Sequence, residues 1–322
     1  MFPLVKLCLT FRALQDMNFS AYAGSTLRGI FGKSLRRVSC LAQKTDCKGC
    51  AAVSSCPYAE IFENGILSNG GEEVPNPYVI EPFDIGMKNI GQGTEFSFNF
   101  LLFGKAVGKM SYALLAWSKT GNMGFTKERT QARPIRVEQI CADGSLRLLY
   151  DFENDETETF EAQTCADLPP QVETNAVKIK LMTPLRIHRD GHPVRPENLT
   201  ARDFLITLIR RTQNMAKHHI AEFPPVNFDD LRAAIDSAQM TDVNLHWFDW
   251  ARYSSRQKKH IALGGVMGTF ALRGDLTKLT PYLKLGEWLH LGKSAVLGMG
   301  KYRIEMPDRT GTPAEHLKFF ER

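Results

Sequence analysis

One order of hydrophobic periodicities occurs twice in this chain and constrains its fold more than any single motif. Residues 2–12 alternate as a strand, and Leu27, Ile30, Phe31, Leu35 and Val38 repeat at helical spacing across 21–42. Residues 94–103 open with strict alternation, 109–119 read as a helix, and 135–141, 146–152 and 158–165 read as a meander with Asp143-Gly144 as a hairpin signal. Residues 166–175 hold Pro169-Pro170 and no apolar period, which places a boundary between domains 1–170 and 171–322. The second half then runs as strand 177–187, helix 202–222, a further helix 229–239 after Pro224-Pro225, strands 245–252 and 260–272, helix 279–289 and a last strand near 300–306. Phe204, Leu205, Leu208, Ile209, Met215, Ala216 and Ile220 form one apolar stripe on the long helix. Strand–helix–strand–strand–helix–strand in duplicate predicts an α+β chain of tandem ferredoxin-like domains with antiparallel sheets. Each sheet would have an open face of the kind RNA-recognition motifs use, although unrelated proteins share the fold.

The 322 residues suit two such domains. No apolar run approaches the roughly 20 residues that span a bilayer. The opening Met1-Phe2-Pro3-Leu4-Val5-Lys6 lacks the basic leader of a signal peptide and reads as a strand, so a cytoplasmic protein without a membrane partner is expected. Net charge is only +5, but residues 151–161 hold six acids and no base, which leaves +11 on the remainder. Charge segregated in this way gives local positive fields that attract a polyanion.

Three constellations carry chemistry. On the first helix Arg28, Lys33, Arg36 and Arg37 fall opposite the apolar side with no acid between residues 20 and 40, a candidate phosphate-contacting face. Cys40, Cys47, Cys50 and Cys56 follow within seventeen residues, with Gly49 inside the Cys47–Cys50 knuckle. Four thiols at this spacing suit a structural zinc; the long first spacing and the Cys56-Pro57 ending also suit an iron–sulfur cluster. The fold is thus expected to carry a cysteine-rich metal-binding loop as an insertion. Third, Gly292, Gly298 and Gly300 with Lys293 and Lys301 form a Gly-rich loop, whose backbone N–H groups are expected to approach phosphates. Its Gly-Lys-Ser is not a Walker loop, because Gly286 is one position away from the required spacing. Two basic loops, around Arg186–Arg195 and Arg252–His260, are further candidates for gripping a backbone; the second brings Arg252 and Arg256. Among the histidines, His218 and His219 read as structural or solvated, whereas His290 abuts the Gly-rich loop.

Taken in order, Leu27-Arg28-Gly29-Ile30-Phe31-Gly32-Lys33-Ser34-Leu35-Arg36, Cys56-Pro57-Tyr58, Arg252-Tyr253-Ser254-Ser255-Arg256-Gln257, Gly264-Gly265-Val266-Met267-Gly268 and Leu289-His290-Leu291-Gly292-Lys293 through Gly298-Met299-Gly300-Lys301-Tyr302 resemble the CRISPR repeat-processing endoribonucleases of the RAMP superfamily. The resemblance covers nearly the whole chain. It implies two ferredoxin-like domains, a Gly-rich loop that contacts RNA, and precursor CRISPR RNA as the substrate. It also implies a cut that needs no cofactor: the ribose 2′-OH attacks the adjacent phosphate and leaves a 2′,3′-cyclic phosphate and a 5′-OH. Such a reaction needs a base, an acid and cations around the phosphorane.

Many relatives carry a histidine after Leu-Arg-Gly-x-x-Gly, and this chain has Lys33 there. A lysine stabilises charge well but is a poor base at neutral pH. Lys33, His290 and Tyr22 are therefore the catalytic candidates. Expected partners are repeat RNA or guide RNA and other CRISPR effector subunits. The competing expectations are a non-catalytic RNA-binding subunit and a protein whose cysteines carry redox chemistry.

Overall fold

The computed structural model describes the chain except for residues 1–2, 43–46, 68–73, 84, 87, 142–143, 155, 158–168, 222–226, 255–258 and 307–322. It divides into two compact units, residues 2–165 with 215–221 and residues 166–214 with 222–322.

In the first unit, β1 (Leu4–Ala13), α1 (Gly24–Ser39), the short α2 (Pro57–Ile61), β2 (Tyr78–Glu81), β3 (Glu95–Phe103), α3 (Met110–Met123), β4 (Ala132–Ile140), β5 (Leu146–Asp151) and β6 (Glu156–Thr157) follow in order. The antiparallel sheet runs β2-β3-β1-β4-β5-β6. Its first four strands have the order of a βαββαβ unit, and β5 and β6 extend it. The expected strand at 158–165 lies outside the described residues. Strand β2 was not legible as a strand because prolines at 75, 77 and 82 flank it.

Alternation sorts the two faces. Leu7, Leu9 and Phe11 lie opposite Phe100, Phe98 and Phe96. This face meets the helices through Phe31, which stacks on Trp117 at 4.9 Å and approaches Phe100 at 4.8 Å. Ser34 Oγ donates to the Ala116 carbonyl at 2.7 Å and locks α1 against α3. The other face pairs Lys6 with Leu101, Cys8 with Asn99, Thr10 with Ser97 and Arg12 with Glu95. Lys6 lies 2.8 Å from Glu81 in a buried ion pair, and Asn99 donates to the same carboxylate.

The second unit contains β7 (Ala176–Leu185), the hairpin β8 (His188–Arg189) and β9 (His192–Pro193), α4 (Ala201–His219), α5 (Phe228–Ser237), β10 (Gln239–Phe248), the hairpin β11 (Ala251–Ser254) and β12 (Lys259–Ala262), β13 (Gly265–Arg273), α6 (Thr280–Leu289) and β14 (Tyr302–Glu305). Residues 215–219 of α4 count with the first unit. The sheet order β10-β13-β7-β14 is antiparallel and is again that of a βαββαβ unit. Where the sequence suggested long strands at 245–252 and 260–272, the chain forms a separate hairpin between β10 and β13. Phe204, Leu205, Leu208 and Ile209 of the expected stripe are fully buried with Val177, Ile179, Phe270 and Tyr302.

No described helix is long and apolar enough to cross a membrane.

Candidate functional site

Helix α1 separates its four cations into two pairs. At 100° per residue the four spread over about half of the helix circumference in the angular order Arg28, Arg36, Lys33, Arg37, and their neighbours divide them. The Arg28 guanidinium lies 4.4 Å above the Phe62 ring, and that of Arg36 lies 5.5 Å from the Tyr58 ring. These stacks hold α2 to α1, and Gly32 makes room for them, because a Cβ there would collide with the Phe62 ring. Arg28 and Arg36, expected on a phosphate-contacting face, are thus half-buried against aromatic rings. Lys33 and Arg37 are exposed, and with exposed Gly29 they form an open strip along the helix. Burial pushes the Tyr78 hydroxyl up to about 12, opposed by Arg28 nearby.

Tyr22 is only 2% exposed and its phenolic oxygen is buried, so a surface proton-transfer role does not fit its position. His290 is 0% exposed. Its Nδ1 lies 3.2 Å from the Met299 carbonyl, and its backbone caps α6 with φ 55°. It fixes the start of the Gly-rich loop rather than facing solvent.

The Gly-rich loop also departs from expectation. Its N–H groups are largely spent inside the unit: Leu291 donates to the Gly300 carbonyl, Lys293 to Arg186, Gly298 to Ala295 and Gly300 to Pro184, at 2.8–3.0 Å. Thr183 Oγ1 donates to the Gly298 carbonyl at 2.7 Å and accepts from Lys301 N–H at 2.8 Å. Arg211 donates to the Leu289 carbonyl and caps α6; burial pulls its guanidinium down to about 10, which leaves it charged at neutral pH. Gly292 and Gly300 are needed for close approach: both have φ above 70° or equal to it, and a Cβ on either would strike the carbonyl of Arg186 or of Leu291. The glycines fit the loop onto the end of β7. Gly298 is buried, and Lys293 alone of the loop's two lysines is exposed, Lys301 being half-buried. Thr183 and Arg211 are not legible from sequence, because each is one polar residue in an otherwise ordinary strand or helix.

Arg256 lies outside the described residues. Arg252 stands in β11, paired with Ile261.

Among the thiols, Cys40 caps the C-terminus of α1 and Cys56 the N-terminus of α2. Cys50 N–H donates to the Cys47 carbonyl, which forms the knuckle turn. Burial raises the Cys47 thiol, and Cys56 and Cys40 are close enough to add to that rise. Nevertheless, no group of three or more His, Cys, Asp or Glu among the described residues is placed to hold a metal. The docking of α2 on α1 through Tyr58 and Phe62 orders this segment by aromatic packing.

The sheet faces themselves differ from an RNA-recognition motif. On β1 and β3 the aromatic on the face away from the helices is the buried Phe103, and Arg12 and Arg136 bond to Glu95, Glu153 and Glu138. A self-neutralised lattice of this kind offers no stacking platform.

Comparison with known proteins gives the family. The AF_1859 model, described as an N-terminal domain, matches residues 2–164, and the model for the CRISPR-associated endoribonuclease Cas6 matches residues 179–302. Thermus thermophilus Cas6 is 13% identical, with 94% of this chain and 99% of that one aligned at a TM-score of 0.56. Another Cas6, solved as its product complex, is 14% identical over 95% of this chain and 100% of that one at a TM-score of 0.50. A partial Cas6-RT-Cas1–Cas2 complex is 14% identical, covering 99% of this chain and half of that one at 0.56. No curated protein matches the sequence. At these identities the solved structures establish a shared fold. The duplicated βαββαβ units and this pair of matches define a two-domain protein whose second half is of the Cas6 type. Residues 179–302 thus match a domain of the Cas6 family, and the chain belongs to the proteins that carry the AF_1859 type of N-terminal domain.

Proposed function

We propose that this chain binds the repeat of a CRISPR transcript and cuts it by 2′-OH transesterification, on a scaffold of two ferredoxin-like domains. The 2′-oxygen forms a bond to phosphorus as its proton leaves, and the P–O5′ bond breaks as the 5′-oxygen gains a proton. The products are a 2′,3′-cyclic phosphate and a 5′-OH. The observation that carries this reading is the exposed Lys33 ammonium on α1, with Arg37 one turn further along, in a chain whose residues 179–302 match the Cas6 model. Two such cations stabilise a dianionic phosphorane. With Tyr22 and His290 buried, proton transfer falls to Lys33 and solvent.

The test is a repeat RNA incubated with the protein in EDTA, beside the same RNA with a single 2′-deoxy substitution at the cut site. Discrete products with cyclic phosphate ends are expected from the first and none from the second. Cleavage of the deoxy substrate would rule out the 2′-OH mechanism, and binding without any cleavage would make the chain a non-catalytic RNA-binding subunit.

A structural zinc on Cys40, Cys47, Cys50 and Cys56 is a separate proposal, supported by the thiol spacing. Elemental mass spectrometry of purified protein is expected to find about one zinc per chain, lost in Cys47→Ser with Cys50→Ser. A visible absorption band would point to iron–sulfur instead. Metal-free protein with an unchanged melting temperature would end the metal reading.

A further inference from the structure

After proline, glycine is the residue an α-helix tolerates least, so a glycine inside a helix calls for a reason. Beyond the first residue of α1, the described α-helices hold Gly29 and Gly32 in α1, Gly121 in α3 and Gly286 in α6. For the last three the reason is packing. A Cβ on Gly32 would enter the Phe62 ring, one on Gly121 would strike the Ala132 carbonyl oxygen, and one on Gly286 the Tyr302 hydroxyl. Gly29 is different. It is exposed, and nothing among the described residues stands within 4 Å of where its Cβ would be. Nor does its φ lie in the left-handed region that favours glycine. Neither packing nor backbone geometry keeps a side chain away from this position.

What surrounds Gly29 on the helix supplies another reason. It lies one turn before Lys33 and two before Arg37, on the same exposed strip of α1. Side chains on a helix lean toward its N-terminus, so the stem of Lys33 is directed over the turn that Gly29 leaves bare. A phosphate held by the Lys33 ammonium would therefore rest against the helix at Gly29. The backbone N–H of a residue inside a helix is spent on the helix itself, so what the position offers a ligand is room.

We infer that Gly29 is the floor of the reacting site, a bare stretch of helix on which the scissile phosphate of the RNA is seated beneath Lys33. The inference rests on the cleavage reading above and deepens it. In-line attack puts the 2′-oxygen and the departing 5′-oxygen on opposite sides of phosphorus, so the phosphorane needs clear space on both sides. That space lies between the ammonium and the helix. A Cβ stands about 1.5 Å out from its Cα and would lift the phosphorus off the floor. A misplacement of about 1 Å costs on the order of a hundredfold in rate when reacting atoms must be aligned. Gly29 takes no proton and carries no charge; it sets how closely the phosphate approaches.

The experiment places full-length Gly29→Ala and Gly29→Leu beside wild type in three measurements: urea unfolding, single-turnover cleavage of repeat RNA, and RNA affinity from about 50 to 200 mM salt. Both variants are expected to unfold at higher urea than wild type, because alanine and leucine favour the helix. Gly29→Ala is expected to cut about ten- to a hundredfold more slowly, with affinity within about threefold of wild type. Gly29→Leu should cut more slowly still and bind more weakly. Its slope of log K against log salt should match wild type, because no cation is lost. A gain in stability joined to a loss in rate is a pairing that a structural role for Gly29 does not produce. Wild-type cleavage by Gly29→Ala, beside slow cleavage by Lys33→Ala, overturns the floor and leaves the Lys33 reading standing. Wild-type cleavage by both ends both. Unfolding of Gly29→Ala below the wild-type midpoint also overturns the floor, because the glycine then serves the fold. If the wild type cuts no repeat RNA, the cleavage reading falls and the floor with it.

Discussion

Lys33→Ala is expected to slow single-turnover cleavage of repeat RNA by at least about tenfold, and by up to about a thousandfold if Lys33 also moves a proton. Affinity should change little, because an exposed lysine loses one salt-screened contact while Arg37 remains. The separation of rate from affinity is the informative result. A cation that meets charge only as the phosphorane forms lowers the rate at saturating protein, whereas one that holds the ground-state phosphate lowers affinity first. Lys33→Arg distinguishes the two duties of the residue. It keeps the charge and cannot deprotonate, so near-wild-type cleavage would assign charge stabilisation, and a loss like that of alanine would assign proton transfer. Lys33→His is expected to cut at least as fast as wild type, since it places a near-neutral base on the same helix turn. Unchanged rates in both Lys33→Ala and Lys33→Arg would move the reacting centre away from α1.

Much of the scaffold was legible because periodicity reports burial directly. The stripe from Phe204 to Ile209 and the alternation along Glu95–Phe103 need no tertiary information to be read, and both elements appear with those faces buried. Elements whose signal is diluted were lost: β2 between prolines, and the hairpin of β11 and β12, whose short strands merge with β10 and β13 when read by composition. The candidate site was less legible, for a specific reason. Charge on a helical wheel says which side a residue leaves from, not what stands there. Arg28 and Arg36 were expected on the side of α1 opposite its apolar stripe, yet they meet Phe62 and Tyr58 of a segment some thirty residues later. In the same way His290 looked available beside a flexible glycine loop, and the loop closes over it. The stack of Arg195 on Trp247 and the bond from Lys293 N–H to the Arg186 carbonyl likewise join segments far apart in sequence, in a sheet of order β10-β13-β7-β14.

The same closure makes Gly300 a sensitive position. Gly300→Ala is expected to destabilise the second unit by roughly 2–6 kcal/mol, combining about 1–3 kcal/mol for a side chain at positive φ with about 1–3 kcal/mol for overpacking. Gly300 has φ 70°, and a Cβ there would land on the backbone of Leu291, which no rotamer change relieves. Relief would require opening the pair of hydrogen bonds that tie Leu291 N–H to the Gly300 carbonyl and Gly300 N–H to the Pro184 carbonyl. Those bonds seat the loop carrying Lys293 on β7, so RNA affinity should fall together with stability. Gly29→Ala provides the contrast. Gly29 is exposed in the middle of α1, and a Cβ there would meet nothing, so alanine should stabilise the first unit by about 0.5–1 kcal/mol through helix propensity alone. Urea unfolding of both variants measures the difference. If Gly300→Ala unfolds at the wild-type midpoint and binds RNA as tightly, the loop is not pinned to Leu291 and Pro184, and its glycines serve the RNA after all.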